Sequence, residues 1–137
     1  MTMTLSLNGQ DSDVDSIERL TQQLDGVPMQ EWLELWMNVE DGPSLCMLKG
    51  GSVAFLTFLR YPGDEGFVSG GDAGVRGVAE FRLSNGQVDE YPRAWCIDVD
   101  LCCKAVMQFF VNGGERPDLI AWRRDSGDTS VDANRAA

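Results

Sequence analysis

Between Glu31 and Tyr91 the chain turns back on itself at short intervals, and that rhythm restricts it to a protein built on antiparallel strands. Residues 31–39 alternate, with Leu33, Leu35, Met37 and Val39 pointing one way and Trp32, Glu34, Trp36 and Asn38 the other. A period of two is the signature of a strand. Asp41-Gly42-Pro43 turns the chain into a short strand over 44–49, and Gly50-Gly51 turns it again into 52–60. There Val53, Ala54, Phe55, Leu56, Phe58 and Leu59 run almost without interruption, as in a central strand buried on both faces. Ser84-Asn85-Gly86 joins two further strands, 78–83 and 87–91, and Asn-Gly between such runs is a strong hairpin signal.

Helical periodicity flanks this region on both sides. From Asp11 to Leu24, the residues Val14, Ile17, Leu20 and Leu24 recur at spacings of three and four. Asp13 is placed to cap this helix, Asp15 favours its positive end, and Gly26 with Pro28 stops it. Over 99–112, Val99, Cys102, Val106, Phe109 and Phe110 share one broad face, with Asp98 as cap and Gly113-Gly114 as stop. Residues 119–123, with Trp122, then run extended. The expected fold is α+β, an antiparallel sheet of about five to six strands with two helices packed on it, in the order α-β-β-β-β-β-α-β. A chain of 137 residues suits one core, so residues 1–124 are expected to form a single domain. The polar composition of 125–137 reads as a disordered tail.

Charge and missing residue types narrow the chemistry. Twenty-two acidic residues face eleven basic ones, a net charge of −11. That sign repels nucleic acid and anionic membranes and steers a basic partner inward. The N-terminus has neither the basic start nor the apolar stretch of a secretion signal, so a cytoplasmic location is expected. Cys46, Cys96, Cys102 and Cys103 lack metal-ligand spacing and read as small apolar side chains, not disulfides.

Histidine is absent, which removes the commonest general base, the usual partner of a Ser or Cys nucleophile, and the commonest metal ligand. Asp11, Asp13 and Asp15 follow the opening of a calcium loop, but Ser16 stands where that loop needs Gly and Gln22 where it needs Glu. Gly71, Gly74 and Gly77 match no phosphate-binding loop. Glu80 with Glu90 is a conceivable carboxylate pair for glycoside hydrolysis. A chain so rich in acids will bring some together by chance. The expectation is a protein without catalytic residues, cofactor or metal.

The last third of the chain resembles a known family. Glu90-Tyr91-Pro92, then Ile97-Asp98-Val99 opening a helix, then Gln108 through Trp122 with Phe109-Phe110, Gly113-Gly114 and Arg116-Pro117, is similar to the first-numbered family of immunity proteins from bacterial polymorphic toxin systems. Gly66-Phe67-Val68-Ser69 and the following hairpin resemble its middle section. The likeness spans roughly 50–124. It implies a non-catalytic protein that forms a heterodimer with a cognate toxin, often a nucleic-acid (cytidine) deaminase and sometimes a nuclease. Such enzymes hold a polyanion in a groove, and an acidic surface would occlude that groove.

The resemblance supplies no binding residues, so these are chosen by composition. The loop with Asp64, Glu65, Phe67 and Asp72 mixes charge, glycine and an aromatic anchor; the hairpin face with Glu80, Asp89 and Glu90 comes next, and Trp32, Glu34 and Trp36 third. The face bearing both tryptophans needs cover, from a helix or from a partner. An alternative reading is an acidic adaptor or scaffold protein with no toxin partner; a small carboxylate enzyme is a third.

Overall fold

A computed structural model describes residues 3–29 and 31–124. Its strands are β1 Met3–Leu7, β2 Gln10–Val14, β3 Trp32–Asn38, β4 Ser44–Gly50, β5 Val53–Leu59, β6 Phe67–Ser69, β7 Val78–Arg82, β8 Val88–Pro92 and β9 Trp122–Arg124. Its two α-helices are α1 Ile17–Leu24 and α2 Val99–Val111, and 3₁₀ turns cover Val27–Met29 and Arg93–Trp95. Seven strands form one sheet in the order β2-β1-β3-β4-β5-β6-β9, and β7 pairs with β8 alone. Every pairing is antiparallel. The α+β class is as the sequence indicates, with more strands than the alternation alone reveals. The expected tail, 125–137, lies outside the described residues.

Alternation along the central strands separates two cores. Leu33, Leu35 and Met37 of β3, Leu45 and Met47 of β4, and Ala54, Leu56 and Phe58 of β5 pack with Leu20 and Leu24 of α1 and Cys102, Val106 and Phe109 of α2. Their neighbours on the other face, Cys46, Leu48 and Phe55, pack with Ala79 and Phe81 of the hairpin, flanked by Trp36, Tyr91 and Trp95. The molecule thus has three layers: helices, large sheet and hairpin. Gly50 sits where hairpin and sheet meet most closely, since a Cβ there would stand 2.6 Å from the Glu80 carbonyl oxygen.

At the N-terminus the expected helix from Asp11 is corrected. Residues 10–14 are an edge strand paired with β1, and the helix starts at Ile17 with Ser16 as its cap, the Ser16 Oγ accepting from the Arg19 amide at 3.2 Å. Asp13 is therefore a strand residue, not the cap. The hairpin turn is Asn8-Gly9, with φ of 51° and 86°, and two such residues match the right-handed twist of the strands they join. Exposed Asp11 and Asp13 charge the sheet edge, which discourages pairing with other chains.

The C-terminal half follows its expected course more closely. Gly113 and Gly114 end α2 with φ of 69° and 96°, and the Gly114 amide donates to the Phe109 carbonyl at 2.8 Å. Gln108 then ties the descending chain to the helix, donating to Asp118 at 2.7 Å and accepting from the Leu119 amide at 3.3 Å. The Trp122 indole donates to the Pro117 carbonyl at 2.6 Å, which fixes the entry into β9. The four cysteines are free; Cys46 and Cys102 are buried, whereas Cys96 and Cys103 are half-buried, so the apolar reading is complete for only two of them.

Candidate functional site

The ten residues singled out from the sequence fall into three places. The first is the segment around β6. Asp64 does not reach outward: its side chain is 1% exposed and takes the Arg60 guanidinium in a two-pronged contact at 2.8 and 2.9 Å. It also accepts from the Arg60 amide at 2.9 Å. The Arg60 guanidinium and amide hold the Asp64 carboxyl far below the usual carboxylate range, and the Gly66 amide adds to this. Glu65 is exposed and stands 4.0 Å from Arg124. Asp72 is exposed and folds back on the Gly74 amide at 2.9 Å.

The glycines here serve close packing more than flexibility. A Cβ on Gly71 would stand 2.1 Å from the Cys96 carbonyl oxygen, and Gly66, with φ of +89°, lies against Leu59 and the Phe58 backbone. Gly70 and Gly71 donate to the carbonyls of Ala121 and Ala94 at 2.8 and 2.9 Å. Ser69, fully buried, accepts from the Leu56 amide and donates to the Trp95 carbonyl. The segment is stitched into the sheet and cannot act as a free arm.

The hairpin is the second place. Glu80 and Glu90 are direct cross-strand partners and both are exposed. Their face also carries Val78 at 48% exposure and Val88 at 49%. Like charges directly opposite on a sheet destabilise it. Asp89 is not part of this face. It is paired with the buried Phe81 and accepts from Gln87 at 2.6 Å and from the Tyr91 hydroxyl at 3.3 Å.

The third place, Trp32-Glu34-Trp36, is covered by the hairpin and not by a helix. One Glu34 oxygen accepts from the Ser84 amide and hydroxyl, both at 2.9 Å, and the other from the Trp36 indole at 2.9 Å. Burial pushes the Glu34 carboxyl upward, but these three donors outweigh it and leave the group below its ordinary value. Arg82 lies over the Trp32 ring at 5.5 Å. Glu34 is thus the clasp between sheet and hairpin.

Sequence reasoning picks out Phe67 but not the arginines gathered around it. The Phe67 ring carries three guanidinium groups, Arg116 at 4.8 Å, Arg124 at 5.2 Å and Arg60 at 5.5 Å. These arginines come from the α2–β9 connection, β9 and the end of β5, and no local pattern relates them. Arg116 was visible only as a turn residue before Pro117.

An open pocket of about 390 Å³ lies where the β1–β2 turn meets the end of α1, with Leu7, Val27 and Leu33 beside the amides of Asn8, Gln10 and Gln23. No titratable side chain lines it. Among the described residues, no three His, Cys, Asp or Glu side chains are grouped to hold a metal ion. No helix among them is long and apolar enough to cross a membrane.

These layers and surfaces define a small α+β protein that displays its charged groups on open faces instead of gathering them in a cleft. The chain belongs to the immunity protein Imm1 family, which matches it over residues 12–124. The match takes in the end of β2, α1 and β3 as well as the C-terminal motif, and so reaches further toward the N-terminus than residues 50–124. Membership implies a toxin-neutralising role with a cognate toxin as partner. Among curated proteins, none matches the sequence.

Proposed function

We propose that this protein neutralises a nucleic-acid-acting toxin, a deaminase or a nuclease, by docking an acidic face over the toxin's substrate groove. The observation that carries the reading is the outer face of the β7–β8 hairpin, where Glu80 opposes Glu90 with exposed Val78, Val88 and Arg82 beside them. Two carboxylates set opposite one another weaken the free hairpin, and a basic partner would relieve that repulsion. The net charge of −11 adds long-range steering toward a groove suited to a polyanion. In this role the chain performs no chemistry, needs no cofactor, binds no nucleic acid and acts in the cytoplasm of the cell that makes the toxin.

The test is toxin activity against a nucleic-acid substrate with the protein in excess. Inhibition is expected at one-to-one stoichiometry, and Glu80→Lys with Glu90→Lys should weaken it at least about tenfold. Full toxin activity in the presence of excess wild-type protein would sink the reading.

A further inference from the structure

We infer that the cluster of Arg60, Arg116 and Arg124 around Phe67 is a second docking point, which takes a carboxylate-bearing segment of the partner toxin. The chain has eleven basic residues against twenty-two acidic ones, yet three of its arginines share one ring. Their own carboxylates do not neutralise them evenly. Arg60 is fully engaged by Asp64, Arg124 meets Glu65 only at 4.0 Å, and Arg116 has no ion-pair partner among the described residues. Arg60 and Arg124 keep 46% and 51% of their side-chain surface exposed.

The chemistry of the cluster favours a carboxylate. A guanidinium presents a planar fork that matches one with two parallel hydrogen bonds. Stacking on Phe67 orders the forks beforehand, so less side-chain freedom is lost on binding. Tyr61, 51% exposed and 5.5 Å from the Arg60 guanidinium, widens the cluster with a second aromatic, and Arg with Tyr is the composition of interface hot spots. A nucleic acid is a poor occupant, because a polyanion approaching this patch must cross the field of a chain carrying −11. A protein segment with one or two acids meets no such barrier. Among the described residues the sheet also ends here at β9, an edge along which an extended segment can lie.

This inference rests on the toxin-binding reading, and the experiment separates the two. The full chain, its Arg116→Glu/Arg124→Glu variant and a control Arg19→Glu/Arg76→Glu variant with the same change in net charge are titrated against the toxin domain that the wild-type chain inhibits. The expected result is affinity lower by about 30-fold or more for the cluster variant and by less than about threefold for the control. Melting temperature is measured for each; if the glutamates unfold the domain, Arg116→Gln/Arg124→Gln takes their place with the same expectation. Equal losses in cluster and control variants would mean that net charge alone is acting, and would overturn the second docking point. Unchanged affinity in the cluster variant, with the toxin still inhibited, would overturn it while leaving the proposed function intact. No toxin bound by wild-type protein would overturn both. Retention of a labelled single-stranded oligonucleotide by wild type and not by the cluster variant would reassign the patch to nucleic acid.

Discussion

The segment from Asp64 to Asp72 and the outer face of the β7–β8 hairpin look alike in sequence, each a short stretch with carboxylates beside apolar residues. In the folded chain they are opposites. Asp64 is spent inside the molecule on the Arg60 guanidinium and amide, and Asp72 on its own turn. Glu80 and Glu90 face each other in the open, and neither forms an ion pair among the described residues. The difference teaches that acidity counted along a chain says little about binding. What matters is which carboxylates the fold has already satisfied, because a satisfied one must give up its donors before it can meet a partner.

Four experiments would break or sharpen that contrast. The largest effect is expected from Phe81→Ala, which empties a fully buried ring site at the centre of the second core; it should cost about 3–5 kcal/mol in urea unfolding. A loss under about 1 kcal/mol would show that the hairpin is not held by this core. Gly71→Ala should cost about 1–3 kcal/mol or more, because its Cβ would collide with the Cys96 carbonyl. If that variant melted like wild type, the loop would be a free arm after all.

Asp64 supplies a pH test. Its carboxyl is held below the ordinary range in the folded protein, first by Arg60, so the folded state binds its proton more weakly than the unfolded state. The stability it adds is complete above the unfolded value near pH 4 and is lost as pH falls through the lower folded value. The gap in stability between wild type and Asp64→Asn should therefore be widest near neutrality and close steadily below about pH 4. A gap independent of pH would remove the ion pair from the account. The smallest expected change has the opposite sign. Glu80→Thr should stabilise the free protein by about 0.2–1 kcal/mol by removing the cross-strand repulsion, while weakening inhibition of the toxin. Gain without loss of inhibition would leave the hairpin face with no binding role.

Much of the architecture was legible because strand alternation and turn chemistry are local. Leu33, Leu35 and Met37 opposite Trp32, Glu34 and Trp36 declared β3 and its two faces, and Asn85-Gly86 declared the hairpin. The same Asn-Gly signal at residues 8 and 9 marked the β1–β2 turn, but Val14 happens to continue the spacing of Ile17, Leu20 and Leu24, so the edge strand read as the start of a helix. The candidate site was less legible. Glu34 could be read as a possible contact residue, yet it is the clasp to Ser84, fifty positions away. Asp89 stands beside Glu90 in sequence, yet strand alternation alone turns it to the other face.

By itself the sequence determined the α+β class, the central antiparallel strands, the stop of α2 at Gly113-Gly114 and the exclusion of histidine chemistry. Each of these follows from spacing between near neighbours or from composition. Only the tertiary structure decided that the hairpin forms a layer of its own, that Asp64 is neutralised, and that Arg60, Arg116 and Arg124 meet on Phe67. Those outcomes depend on which distant segments the two cores bring together, and burial of apolar surface is non-directional. The pattern of apolar residues states that a face must be covered; the packed chain determines what covers it and which charges are left outside.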